Sequence, residues 1–182
     1  HRTNKFVRSA LEKIGYNIVF ASRDGAKIKI AEEISVAYFG EKYGYDNSIV
    51  LSTNNFTLLN QNDHYTASET VAKINSQYHK IDFLFTQFSL AGYYGNKDDE
   101  KTIIKSGKVF HLNRLLQYAK DFNPKVVVPF ASYVYFCHQY NRYLNKYILT
   151  PSDVAKALSN SGHEFQIPWY NDEIHLDNKV RK

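Results

Sequence analysis

The strongest constraint on the fold is the segment of residues 48–63, in which two apolar runs flank a pair of asparagines. Residues 49–51 and 56–59 have the composition of strands, and Asn54-Asn55 tolerates the positive φ angles of a tight hairpin turn. The second run ends in a polar cluster that begins the next loop. Asp63 stands there, and an acidic residue just past a buried strand is a common position for chemistry because the sheet fixes its backbone. The alternative is that Asp63 caps a helix that begins near Ala67.

The rest of the chain alternates between short apolar runs and helical patterns. Asp24-Gly25 predicts a hairpin between residues 17–22 and 26–31. Further strands are predicted at residues 34–39, 81–88, 125–130 and 164–169. Helices are predicted at residues 5–14, 67–78, 102–122 and 151–160, and residues 132–146 are predicted to be helical at least in part. Antiparallel hairpins followed by strand–helix–strand units predict an α/β (α+β) fold, a mixed sheet covered by helices.

Composition excludes several classes of protein. The 182 residues suffice for one well-buried domain, and no apolar run approaches the roughly 20 residues that span a membrane. The net charge of +5 comes from scattered Lys and Arg residues, so a nucleic-acid partner is not expected. A single cysteine, Cys137, excludes an internal disulfide framework and predicts a reducing, cytoplasmic location.

Four segments carry a resemblance to a known family: SIVLST…FTLLNQND, IDFLFTQFSLAGYYGN, PKVVVPFASYVYFCHQYNRYLN and GHEFQIPWYNDEI. Together they resemble the C-terminal half of a metallo-β-lactamase-fold protein, most closely its lactonase-like and CMP-N-acetylneuraminate-hydroxylase-like branch. The resemblance spans residues 34–174 and implies part of an αββα sandwich. Residues 1–182 are therefore expected to be a single domain from the C-terminal portion of a larger fold. The absence of methionine, even at position 1, leads to the same expectation of a processed chain or a piece.

The resemblance also implies a metal-assisted hydrolase. In that family a strand ends in an acidic metal ligand, and Asp63 stands at the matching position with His64 beside it as a second metal-site residue. The resemblance implies zinc or another divalent metal as cofactor. Tyr93, Tyr94 and His138 would line a pocket for a small sugar- or phosphate-containing substrate.

This chain departs from the family pattern at the metal ligands. The His-x-His-x-Asp-His motif is absent, and Pro129-Phe130-Ala131 stands where a Pro-x-His ligand would be. The chain alone is therefore expected to be inactive, and a missing N-terminal half, which a second polypeptide could supply, would complete it. A homo-oligomer is the other partner that is expected. The alternative is a non-catalytic carbohydrate-, nucleotide-sugar- or protein-binding module that has lost the metal site.

Overall fold

A six-stranded mixed sheet organises the chain in the computed structural model, which describes residues 5–42, 44, 46–92, 96–174 and 180–181. The strands of these residues follow in chain order: β1 (Ile28–Lys29), β2 (Ser35–Phe39), β3 (Ser48–Ser52), β4 (Thr57–Asn62), β5 (Phe83–Thr86), β6 (Val126–Pro129), β7 (Glu173–Ile174) and β8 (Val180–Arg181). The helices are α1 (Lys5–Lys13), α2 (Ser68–Gln77), α3 (Glu100–Ser106), α4 (Lys108–Phe122) and α5 (Pro151–Ser161), with a 3₁₀ helix at Arg142–Lys146. No helix among these residues combines the length and apolar character that a membrane crossing requires.

The strand order in the sheet equals the chain order, β1 to β6. The first four strands pair antiparallel, and β4, β5 and β6 pair parallel. The two parallel connections run through α2 and through α3–α4, because parallel neighbours need a long crossover. The predicted mixed sheet covered by helices is thus confirmed. The division of residues 1–182 into one domain stays a prediction.

Helices cover one face of this sheet. Successive strand residues point to opposite faces, and Phe39, Val50, Leu59 and Leu84 pack on this side against Ile74 of α2 together with Tyr118 and Phe122 of α4. Beside them, Val127 of β6 packs with residues of α4 and α5. The main core therefore lies between the sheet and α2, α4 and α5.

The opposite face of the sheet, which we call the helix-free face, carries two rows of side chains that run across the strands. Its members are Val36, Leu51, Leu58, Phe83 and Val126 in one row and Tyr38, Ile49, Asn60, Phe85 and Val128 in the other. The cluster around Phe83 and Val126 contains no helical residue among those described, and Ile174 of β7 packs against it. Leu51, near the middle of the sheet, remains 36% exposed.

The central hairpin is confirmed, with a turn of a different kind. β3 and β4 pair as expected, and the Thr53 amide donates to the carbonyl of Phe56 (2.8 Å). Neither Asn54 nor Asn55 has positive φ. Instead, the Thr53 hydroxyl accepts a hydrogen bond from the amide of Asn55 (3.3 Å).

The predicted hairpin at Asp24-Gly25 is wrong, since residues 17–22 form no strand. The Gly25 amide donates to the carbonyl of Tyr38 (2.9 Å), so this segment lies against the end of β2. The ring of Phe39 occupies the space in which a Cβ at Gly25 would lie, and Gly25 has φ +85°. Because this segment packs against β2, no hairpin turn forms at Asp24-Gly25. β1, which follows it in the chain, pairs with β2.

The predicted helix at residues 102–122 is divided at Gly107. A Cβ at this position would lie 3.0 Å from the carbonyl oxygens of Ile103 and Tyr147. Because glycine has no side chain, the segment at Tyr147, directly after the 3₁₀ helix, can pack against the break between α3 and α4. Most of residues 132–146 is irregular, and the strand predicted at residues 164–169 is reduced to one bridge, between Phe165 and Val127.

Truncating the helix-side core should destabilise the whole domain. Leu84 is fully buried at the centre of the sheet, and Leu84→Ala should lower the free energy of unfolding by about 2–5 kcal/mol through lost apolar contact and a residual cavity. Urea denaturation followed by circular dichroism would measure it. Val109→Ala, at a position 59% exposed on α4, is the control and should change stability by less than about 0.5 kcal/mol. Equal effects would contradict the assigned core.

Candidate functional site

Parallel strands bring three chain segments together at one edge of the sheet. We call this the carboxyl edge: Asp63 after β4, Gln87 after β5 and residues 130–132 after β6. The Gln87 amide donates to the carbonyl of Asn62 (3.1 Å), and the Phe130 amide donates to the carbonyl of Thr86 (3.1 Å). In open α/β sheets, ligands bind outside the carboxyl ends of the strands. This edge is therefore the candidate site.

A tight turn presents Asp63 to solvent. The His64 amide donates to the carbonyl of Gln61 (2.9 Å), and Asn62 inside the turn has φ +50°, which asparagine tolerates. Asp63 is exposed. The alternative in which it caps a helix is wrong, because α2 has Ala67 at its N-cap without a side-chain cap. Glu41 accepts the hydrogen bond from the Ala67 amide instead (2.9 Å).

His64 lies in a different environment from its neighbour Asp63. It is 3% exposed, and its Nδ1 lies 2.8 Å from the hydroxyl of Ser48. The Ser48 hydroxyl also donates to Gln61 Oε1 (3.0 Å), and His64 Nε2 lies 3.9 Å from a carboxylate oxygen of Glu41. This Ser–His–Glu set is enclosed at Ser48, which is fully buried, and at His64, whereas the Glu41 side chain is 30% exposed. Its hydrogen bonds join the starts of β3 and α2 to the end of β4.

Burial also sets the charge of His64. Desolvation lowers the pKa of His64 below its ordinary value of 6.5, and the nearby Glu41 carboxylate opposes that shift. The imidazole is thus held neutral at neutral pH.

The other predicted pocket residues are not brought to this cluster. His138 is exposed in the turn before the 3₁₀ helix, where its ring centroid lies 5.1 Å from that of Tyr140. Tyr93 and Tyr94 lie outside the described residues. The roles predicted for Asp63, His64, Tyr93, Tyr94 and His138 stay predictions.

The described residues do not by themselves fit the implied metal. Among residues 5–42, 44, 46–92, 96–174 and 180–181, no group of three or more His, Cys, Asp or Glu side chains is placed to hold an ion. A catalytic zinc site usually takes three protein ligands and a water molecule. Asp63 can contribute one of them.

Sequence reasoning missed Arg114, which reaches the carboxyl edge from α4. Its Nη2 donates to Gln87 Oε1 (3.1 Å). Its guanidinium carbon lies 4.2 Å from the ring centroid of Tyr65 and 5.4 Å from that of Phe110. One signal was available: Arg114 lies one helical turn from His111 and from Tyr118, both buried, so its position on α4 turns toward the sheet.

Comparison with known proteins adds little to this geometry. No family model and no curated protein matches the chain. A solved structure with a similar arrangement is a metal-dependent hydrolase of the β-lactamase superfamily, at a TM-score of 0.43 and 10% identity, matched over 84% of this chain. The chain spans about half of that protein (56%). A likeness at this level carries no functional argument, so family membership remains an expectation drawn from the sequence.

The neutral His64 should make stability fall in acid. Because its pKa in the folded state lies below 6.5, the unfolded chain binds the proton first, and the free energy of unfolding decreases as pH falls from about 6.5 to the lowered pKa. His64→Asn should flatten that part of the profile, measured by urea denaturation between about pH 5 and pH 8. His79→Asn, at an exposed position, tests whether removing any histidine has this effect. An unchanged slope in His64→Asn would contradict the assignment.

Proposed function

We propose that this chain forms the C-terminal half of a metallo-β-lactamase-type hydrolase and supplies Asp63 to a site that a second layer of polypeptide completes. The observation that carries the proposal is the uneven cover of the two faces of the sheet. One face is packed under α2, α4 and α5, whereas the described residues packed around Phe83 and Val126 on the helix-free face include no helix, and Leu51 on the same face stays 36% exposed, so a second layer could pack there. The exposed carboxylate of Asp63 lies at the carboxyl edge of that same sheet.

The described residues support a limited role in the chemistry. Asp63 offers a carboxylate fixed by the Gln61–His64 turn, and the other ligands would come from the second layer or from residues outside those described. A bound divalent metal would polarise the substrate and activate a water molecule. This chain's part is to hold one carboxylate in place and to form one wall of a site for a small sugar- or phosphate-containing molecule.

Asp63 should bind a divalent ion weakly when the chain is alone. We expect elemental analysis, paired with intact mass, to find well under one equivalent of metal per chain. Added Mn²⁺ should broaden the amide NMR signals of residues 62–64, and Asp63→Asn should abolish that broadening. Asp46→Asn, at an exposed position before β3, is the matched control and should retain it.

Three results would overturn this assignment. A full equivalent of tightly held metal would mean that the chain already contains a complete site and is not a half. Undisturbed signals at residues 62–64 would remove Asp63 from the ligand set. A chain that binds a sugar or nucleotide-sugar without metal and leaves it unchanged would establish the binding-module alternative.

The helix-free face should make the isolated chain associate. Leu51 lies on this face between Val36 and Leu58 and is 36% exposed, and exposed apolar surface of this kind favours contact with another protein surface. We expect concentration-dependent self-association in sedimentation velocity, reduced in Leu51→Lys. The control Val109→Lys, on the exposed side of α4, should associate as the parent chain does. A parent chain that stays monomeric over the whole concentration range would contradict packing through this face.

A further inference from the structure

The guanidinium of Arg114 is held at the carboxyl edge with most of its donors unused. Arginine has five N–H donors, and toward the described residues Nη2 alone donates, to Gln87 Oε1 (3.1 Å). Nε and Nη1 are shielded from solvent, and neither has a hydrogen-bond partner among the described residues. No Asp or Glu of those residues lies within ion-pair distance of Arg114.

Three neighbours fix the guanidinium in place. Tyr65 lies against it at 4.2 Å and Phe110 at 5.4 Å from its central carbon, and the two ring centroids are 5.7 Å apart. Aromatic faces attract a guanidinium and leave the N–H groups at its rim free for other partners. Gln87 is itself held by the hydrogen bond from its amide to Asn62. The cation is therefore positioned before any ligand arrives.

A second unused donor lies on the neighbouring strand end. The Ser132 hydroxyl is shielded from solvent without a hydrogen-bond partner among the described residues, and Ser132 has φ +65°, an uncommon backbone angle for serine. The next residue, Tyr133, packs against Phe88 with ring centroids 5.3 Å apart. Phe88 directly follows Gln87, so Ser132 and Gln87 belong to neighbouring strand ends of the carboxyl edge.

Arg114 is half-buried, and its Nε and Nη1 are shielded from solvent without a partner among the described residues, whereas buried polar groups are normally hydrogen-bonded. The planar guanidinium matches the oxygen spacing of carboxylate and phosphate groups. We propose that Arg114, with Gln87 and Ser132, binds an oxyanion, the carboxylate or phosphate group of a small ligand. The inference stands on these residues alone and requires neither metal nor hydrolysis.

The direct test follows the side-chain Nε–H signal of Arg114 by NMR during two separate titrations, one with inorganic phosphate and one with acetate. We expect a saturable shift with at least one anion. Saturation by phosphate alone assigns a phosphoryl ligand, and saturation by acetate alone assigns a carboxylate ligand. The absence of a saturable Arg114 shift with both probes would overturn the proposal.

Two variants distinguish specific anion binding at Arg114 from general attraction of anions to a basic surface. Arg114→Lys keeps the charge but loses the planar donors, and anion affinity should fall about tenfold or more when followed through backbone amide shifts near residue 87. Arg8→Lys, on the exposed α1 where Arg8 pairs with Glu12, should leave affinity unchanged. Equal losses in both variants, or none in Arg114→Lys, would overturn the proposal.

Gln87→Glu tests the site in a variant that should stay folded, so that a loss of anion binding is not the result of unfolding. It sets a carboxylate beside Arg114 in the place of the amide, so the pair should form inside the chain, thermal stability should rise, and anion binding should be lost while the fold is retained. Binding of phosphate or acetate at the parent affinity in Gln87→Glu would contradict the assigned site. Because no readout involves metal or turnover, failure here leaves the proposed half-hydrolase untouched.

Discussion

The rest of the structure depends on the alternation of side chains across β2 to β6. On one face that alternation places Phe39, Val50, Leu59 and Leu84 against α2 and α4. On the other it places two rows of mostly apolar residues, and the cluster around Phe83 and Val126 in these rows contains no helical residue among those described. Because neighbouring strands are hydrogen-bonded in register, the rows cannot shift by one residue without exchanging the two faces. The buried core and the helix-free face are therefore two consequences of a single pairing pattern.

The same pairing builds the carboxyl edge. The parallel strands β4, β5 and β6 end side by side, and hydrogen bonds at Asn62 and Thr86 hold their exits together. An exposed carboxylate, Asp63, and a fixed guanidinium, Arg114, are both brought to this edge although they lie far apart in sequence. The two proposals use the opposite charges of these side chains: a metal ion for the carboxylate and an oxyanion for the guanidinium.

Asp63 and His64 show that residues adjacent in sequence can lie in different environments. Asp63 is exposed, whereas His64, the next residue, is buried (3% exposed) and lies among Ser48, Gln61 and Thr66. The turn that exposes the carboxylate rotates the next side chain into the space between the sheet and α2. The histidine then stabilises the scaffold through its hydrogen bonds, and burial keeps its imidazole neutral.

Much of the fold was predictable because it depends on local patterns. The hairpin of β3 and β4, the buried strands β5 and β6, and α5 with its Gly162 end all follow from apolar periodicity and from residues that begin or end elements. The errors lie where a distant contact outweighs a local preference. Gly25 pairs with β2 because Phe39 packs over it, and Gly107 interrupts a helical pattern because the chain at Tyr147 packs against it.

The candidate site divides along the same line. The sequence by itself determined that an acidic residue follows a buried strand, because strand composition and turn chemistry are local properties of the chain. Only the tertiary structure decided that Arg114 reaches Gln87, that His64 turns inward and that no helix of the described residues packs around Phe83 and Val126. Each of these depends on which elements become neighbours, and that is set by packing between residues distant in sequence, which no local pattern encodes.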